Sequence, residues 1–183
     1  MADSFVYTSP ADPLARPLID DLIREYDGRY GDLFDRDGAV VELNRYPPEA
    51  FAPPVGNFVL LMRDGEPIGG GAFKRYDDHT AEVKRMWTRR DQRRQGLASH
   101  VLRELEAQAV RQGYARFYLT TGFRQPEAAG LYLTSGYTPL YDTTLPHDAY
   151  RHLPFTKLID PRRHDESFAD IAFAVPVIAA KAS

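Results

Sequence analysis

Apolar positions recur along the chain in two rhythms. Phe5-Val6-Tyr7 reads as a short first strand. After Ala11-Asp12-Pro13, the residues Leu14, Leu18, Leu22 and Ile23 fall at helical spacing, and Gly28 and Gly31 are expected to break that helix. From about Asp32 to Gly56 neither rhythm holds, and Pro47-Pro48 and Pro53-Pro54 predict an irregular loop. A loop of this length in a compact domain is often functional. Asn57 to Met62 is a strand, Asp64-Gly65 a hairpin turn, and Pro67 to Phe73 the returning strand. The run Gly69-Gly70-Gly71 predicts a bulge or a close backbone approach. Asp77-Asp78-His79 turns the chain into a further strand, Glu82 to Thr88, completing an antiparallel meander.

The rhythm then becomes helical from Gln95 to Gln112, with Leu97, Val101, Leu102, Leu105 and Ala109 on one face and Gly113 as the cap. Ala115 to Thr121 is a strand, and the helix before it implies a parallel neighbour. Pro126 opens another helix, Gly136 ends it, and Tyr137 to Tyr141 and Leu153 to Leu158 finish the sheet. The class is therefore α/β, a mixed sheet flanked by helices. Residues 1–160 read as one domain. The tail, 161–183, carries Phe168, Ile171, Phe173, Val175, Val177 and Ile178, which are expected to dock on the domain or on a second copy.

Composition narrows the chemistry. The 183 residues contain no cysteine, which excludes a thiolate nucleophile, thiolate metal ligands and disulfides. His147 and His152 lack ligand spacing, so no metal site is expected. No apolar run approaches the ~20 residues of a membrane helix, and the first residues do not resemble a secretory signal. A cytoplasmic protein without membrane or nucleic-acid partners is expected. The net charge of −3 covers an acidic first third and a basic run from Lys84 to Arg94, which suggests one end suited to a cation and another to a polyanion.

The basic run leads into a helix whose first turn contains Gly96 and Ala98. A helix start offers unpaired N–H groups and the positive end of the dipole, and small residues let a ligand reach them. Arg93 and Arg94 add cationic donors for phosphate. A pyrophosphate is expected at residues 94–99. The bland alternative is a glycine tolerated beside a helix cap.

Arg93-x-x-Gly96-x-Ala98 resembles the acyl-CoA signature of the GNAT superfamily of N-acetyltransferases. Ala81 to Trp87 is similar to the family's strand before that signature, and Arg124 to Tyr137 to its last helix and following strand. The likeness is good over about residues 57–142 and absent from the tail. It implies the GNAT acyl-CoA N-acyltransferase fold, with acetyl-CoA as co-substrate in a V-shaped gap between the Glu82–Thr88 and Ala115–Thr121 strands. The pantetheine arm would pair with Met86, Trp87 and Thr88. The pyrophosphate would sit on Arg94, Gly96, Leu97, Ala98 and Ser99, with Arg93 and Gln95 in the same loop. Gln125 stands where the family often has asparagine.

The resemblance also implies roles. Glu82 would take the proton of the acceptor amine, directly or through water, and Tyr132 would return one to the leaving thiolate. A backbone N–H near Trp87 would stabilise the oxyanion. The competing readings are an ion pair with arginine for Glu82 and packing for Tyr132. The acceptor is expected opposite the cofactor, among Tyr30, Phe34, Asp35, Asp37, Glu42, Tyr141, Asp142, His147 and Tyr150. The expected reaction is direct transfer to the primary amine of a small molecule, with a homodimer possible. The alternatives are a protein N-terminal or lysine acetyltransferase and a CoA-binding sensor without turnover.

Overall fold

The computed structural model describes residues 2–30 and 38–177. Seven strands form one sheet in the order β1-β2-β3-β4-β5-β7-β6. The strands are β1 (Ser4–Thr8), β2 (Asn57–Arg63), β3 (Glu66–Arg75), β4 (Thr80–Thr88), β5 (Arg116–Gly122), β6 (Thr138–Pro139) and β7 (His152–Leu158). The helices are α1 (Arg16–Tyr30), α2 (Gly38–Asn44), α3 (Leu97–Arg111) and α4 (Pro126–Thr134). Among the described residues, only β4 and β5 pair in parallel; the other ladders are antiparallel.

Both faces of the sheet are covered, so β2 is a continuous apolar run rather than an alternating one. Val59 and Leu61 join the core beneath α3, with Val101, Leu102, Leu105, Phe117 and Phe155. Phe58 and Leu60 join the opposite core, with Leu18 of α1, Phe51 and Trp87. Asp64 and Gly65 both have positive φ, as the tight hairpin requires.

The glycines of β3 act as expected. A Cβ at Gly70 would lie 2.8 Å from the Val59 carbonyl oxygen and 2.8 Å from Leu18 Cδ1. A Cβ at Gly71 would lie 2.7 Å from Met86 Sδ and 2.9 Å from Leu105 Cδ1. Gly70 thus admits α1 and Gly71 admits α3. Gly70→Ala meets rigid backbone and should cost about 1–3 kcal/mol, read as a lower denaturation midpoint. Gly71→Ala meets only the ends of flexible side chains and should cost less.

A bulge interrupts β3 and β4: Gly70 faces Trp87, yet Ala72 faces Lys84. The extra residue is on β4, where Arg85 has φ of 62°. β4 pairs with β5 only from Thr80 to Glu82, opposite Arg116 to Tyr118. Past that point the two strands have no ladder between them, which is where the gap was expected.

Three expectations need correction. Gly28 lies inside α1, because one glycine costs only about 1 kcal/mol in a helix held by its neighbours. The stretch expected to be irregular contains α2 and a 3-10 turn at Pro48–Phe51; both are too short to show periodicity. Of Tyr137 to Tyr141, only Thr138–Pro139 is strand, and β7 separates it from β5.

After a 3-10 turn at Pro161–Arg163, the tail runs without regular structure along its own domain. Arg116 donates to the Ala169 carbonyl at 2.8 Å, the Ala174 N–H donates to the Leu140 carbonyl at 2.8 Å, and the Phe168 ring stacks 5.6 Å from the His79 ring. Among the described residues, no helix is long and apolar enough to cross a membrane.

Candidate active site

The loop from β4 to α3 sets the first half of the site. Arg94 and Gly96 adopt φ of 64° and 74°. Gly96 is the residue before the helix and caps it with no side chain. The first intrahelical bond runs from the His100 N–H to the Gly96 carbonyl, at 3.1 Å. The N–H groups of Leu97, Ala98 and Ser99 therefore have no helical acceptor. A Cβ at Gly96 would meet nothing within 4 Å, so its left-handed backbone, not crowding, is what demands glycine.

This helix start opens on a cleft of about 520 Å³. Arg93, Arg94, Gly96, Leu97, Ala98 and Ser99 line one end. Met86, Trp87 and Thr88 line its β4 side, and Gln125, Ala128, Leu131 and Tyr132 its α4 side. Gln95 is the exception: it does not line the cleft, and its amide bonds Gln92 and Arg63 instead. It follows Arg94, whose left-handed backbone turns the chain at that point.

The charges are interleaved rather than held at opposite ends, which corrects the expected asymmetry. α1 lies across β4, so Asp21 accepts from Trp87 Nε1 at 3.0 Å and Glu25 pairs with Arg93. Glu127 pairs with Arg29 at 2.5 Å. Arg94 is exposed and, among the described residues, has no ion-pair partner. Glu25 and Glu127 were not foreseen, because only the α1 and α4 packing brings them to the cleft.

Tyr132 also lines the cleft, 5% exposed, with its ring 5.6 Å from those of Tyr137 and Phe155. Among the described residues its hydroxyl has no hydrogen-bond partner, and burial alone pushes its pKa above the ordinary 10.0. The neighbouring Tyr137 hydroxyl, by contrast, donates to Glu106 at 2.9 Å. Gln125 Oε1 accepts from the Gly122 N–H and the Thr121 hydroxyl, at 3.1 and 3.2 Å, which fixes the turn into α4.

Glu82 lies on the face of the sheet toward α2. It is 8% exposed and sits 3.1 Å from Lys84 Nζ and 3.4 Å from Lys74 Nζ. The ion pair weighed from sequence is thus present, with two lysines in place of an arginine. Lys74 is its register partner on β3, and Tyr118 its partner on β5. Burial, and then the charge of Glu82, push the Tyr118 phenol up to about 12. Next to this cluster, Arg85 donates to the Leu43 carbonyl at 2.8 Å and lies over the Phe51 ring.

The expected acceptor residues divide. Glu42 reaches the cluster, 3.8 Å from Lys84 and 3.4 Å from Arg45, so its charge is already balanced. Tyr30 turns away and accepts from the Arg124 N–H at 3.1 Å, because α1 packs on the β5–α4 turn. Asp142 holds its own turn through Thr144, and Tyr150 is buried with its hydroxyl on the Asp142 backbone. His147 stacks on Tyr141, at 6.1 Å. Phe34, Asp35 and Asp37 lie outside the described residues.

Residues 16–137 match the model of the acetyltransferase (GNAT) family. The chain belongs to that family. The acetyltransferase has no match among curated proteins at the level of sequence. Its fold is shared with solved structures. A GNAT-family acetyltransferase from Staphylococcus aureus Mu50 is 15% identical with a TM-score of 0.67, covering 87% of this chain and 100% of its own. The PaiA N-acetyltransferase of Thermoplasma acidophilum, in complex with coenzyme A, is 15% identical with a TM-score of 0.64, covering 86% and 99%. A GNAT-family acetyltransferase from Elizabethkingia anophelis, with acetyl-CoA bound, is 15% identical with a TM-score of 0.58, covering 85% and 97%. The acetyltransferase is therefore an acyl-CoA-dependent N-acyltransferase enzyme.

Proposed function

We propose that the enzyme transfers an acetyl group from acetyl-CoA directly to the primary amine of a small molecule in the cytoplasm. The observation that carries this reading is the cleft itself. It is lined by an uncapped helix start, by Arg94 and by a phenol, Tyr132, whose hydroxyl has no partner among the described residues.

The residues fit acetyl-CoA on the grounds of their own chemistry. Leu97, Ala98 and Ser99 supply N–H donors to a pyrophosphate, and Arg94 adds a cation. Met86, Trp87 and Thr88 offer strand backbone to the pantetheine arm where the β4–β5 ladder has ended. Bound there, acetyl-CoA supplies an electrophilic thioester carbonyl. Trp87 is pinned to Asp21 through its indole, and its backbone N–H is our candidate oxyanion donor. Glu82 accepts the ammonium proton of the acceptor, directly or through water, and Tyr132 donates a proton to the departing sulfur. With no cysteine in the chain, a cysteine-bound acyl enzyme is excluded, which supports direct transfer. A groove of about 500 Å³ beside β5 and β7 has the size of a small-molecule site, which supports a small amine over a protein substrate.

The test begins with binding. Acetyl-CoA at 100 times its Kd should add about 2.7 kcal/mol of stability, seen as a raised melting temperature. Gly96→Val should lose most of that shift, because the β-branched residue resists φ of 74° and covers the N–H groups. No shift at millimolar acetyl-CoA overturns the reading. An amine panel following release of free CoA then tests transfer.

A further inference from the structure

We infer that the C-terminal tail forms one wall of the acceptor site and restricts the acceptor to monoamines bearing an uncharged alkyl or aryl group. This rests on the acetyl-transfer reading above. A groove of about 500 Å³ runs between β5 and β7 on one side and tail residues 172–177 on the other. Tyr118, Thr120, Tyr150 and Pro154 form the sheet wall. The groove adjoins Glu82 through Tyr118, its register partner across β4 and β5, on the sheet face that carries the Glu82–Lys84–Lys74 cluster.

Among the described residues, no carboxylate lines this groove. His152 is pulled below its ordinary pKa, first by desolvation, which favours its uncharged form. The charged residue in the lining is Arg151. A hydrocarbon chain gains by burial here, whereas a second ammonium would meet Arg151, and Glu42, the carboxylate whose charge reaches His152, is already paired with Lys84 and Arg45.

The tail is held in place rather than lying free. The Phe168 ring sits 5.4 Å from the Arg116 guanidinium and 5.6 Å from that of Arg163, and Arg116 grips the Ala169 carbonyl. Ala174 is tied to Leu140. Yet Phe173 and Val175 remain 58% and 78% exposed. Apolar side chains anchored by their backbone but uncovered at the lip of a groove are suited to close over an apolar ligand.

The experiment uses the full-length protein with ethylamine, butylamine, hexylamine and 1,6-diaminohexane. Two readouts are followed: CoA release with acetyl-CoA, and calorimetric binding of each amine to the protein–CoA complex. We expect kcat/KM and affinity to rise by at least about tenfold from ethylamine to hexylamine, with a ceiling of about fourfold per fully buried methylene. The diamine should fall at least about tenfold below hexylamine. Phe173→Asp and Val175→Asp, at exposed positions, should flatten the series through KM for the amine, leaving the acetyl-CoA melting shift unchanged. Turnover without a chain-length preference, or a preference the two variants leave intact, overturns this inference while transfer stands. Absent turnover, with a binding preference that the variants abolish, leaves the groove standing and overturns the transfer reading. Neither turnover nor binding overturns both.

Discussion

Tyr132→Phe should lower kcat by about two to four orders of magnitude while the enzyme binds acetyl-CoA as before. The phenylalanine keeps the ring packing on Tyr137 and Phe155, and the lost hydroxyl had no partner among the described residues, so the melting temperature should hardly change. A role in packing alone predicts an unchanged rate, and single-turnover kinetics separate the two. The pH profile adds a second check. Burial raises the phenol above 10.0, so the proton donor stays protonated through that pH, and the parent's alkaline limb should show no loss there. The linkage has a definite sign. A group whose folded pKa is raised contributes stability that is complete below its unfolded value and lost as pH climbs above it. The parent should therefore lose stability above pH 10, more than Tyr132→Phe does, in denaturation midpoints taken across that range.

Glu82→Gln should lower kcat/KM at neutral pH by about two to four orders of magnitude. The deficit should shrink as pH approaches ~10.4, the ordinary pKa of an alkylammonium, because the free amine then arrives without needing a base. A deficit that is constant with pH removes Glu82 from the base role. The variant should also be less stable, by about 3 kcal/mol, because Lys74 and Lys84 are left side by side at 14% and 17% exposure. An unchanged acetyl-CoA melting shift shows that the cofactor cleft has survived.

Much of this site was legible in order along the chain. Residues 86–88 and 93–99 are contiguous with a strand end and a helix start, so chain order and helix physics place them without tertiary information. Ten of the eleven residues expected at the cofactor line the cleft; Gln95 does not, and it lies beside a left-handed turn that only the backbone geometry reveals. The meander, α3 and the glycine contacts of β3 were legible for the same reason: their periods and turn residues are local. The short α2 and the two-residue β6 were not, because one or two turns of helix or a single pair of ladder bonds leave no rhythm to read.

The acceptor side was the least legible. Glu82 could be singled out, but not its two lysines. Lys84, two residues along the same strand face, reads as part of a basic run until β3 brings Lys74 across. Nor could Glu25 and Glu127 be placed at the cleft before α1 and α4 were packed.

Taken alone, the sequence determined the local features we assign to the donor: a basic loop, a glycine with free backbone, and a helix whose first N–H groups go unpaired. Those are consequences of neighbours in the chain, and they hold wherever the helix is placed. Tertiary structure decided how far β4 and β5 stay paired, which charges neutralise one another, and that the tail lies beside the groove next to Glu82. These depend on segments far apart in the chain, such as Tyr118 of β5 and Val175 of the tail, coming to line one groove. No local period or spacing encodes such a meeting; it follows only from how the whole chain buries its apolar surface.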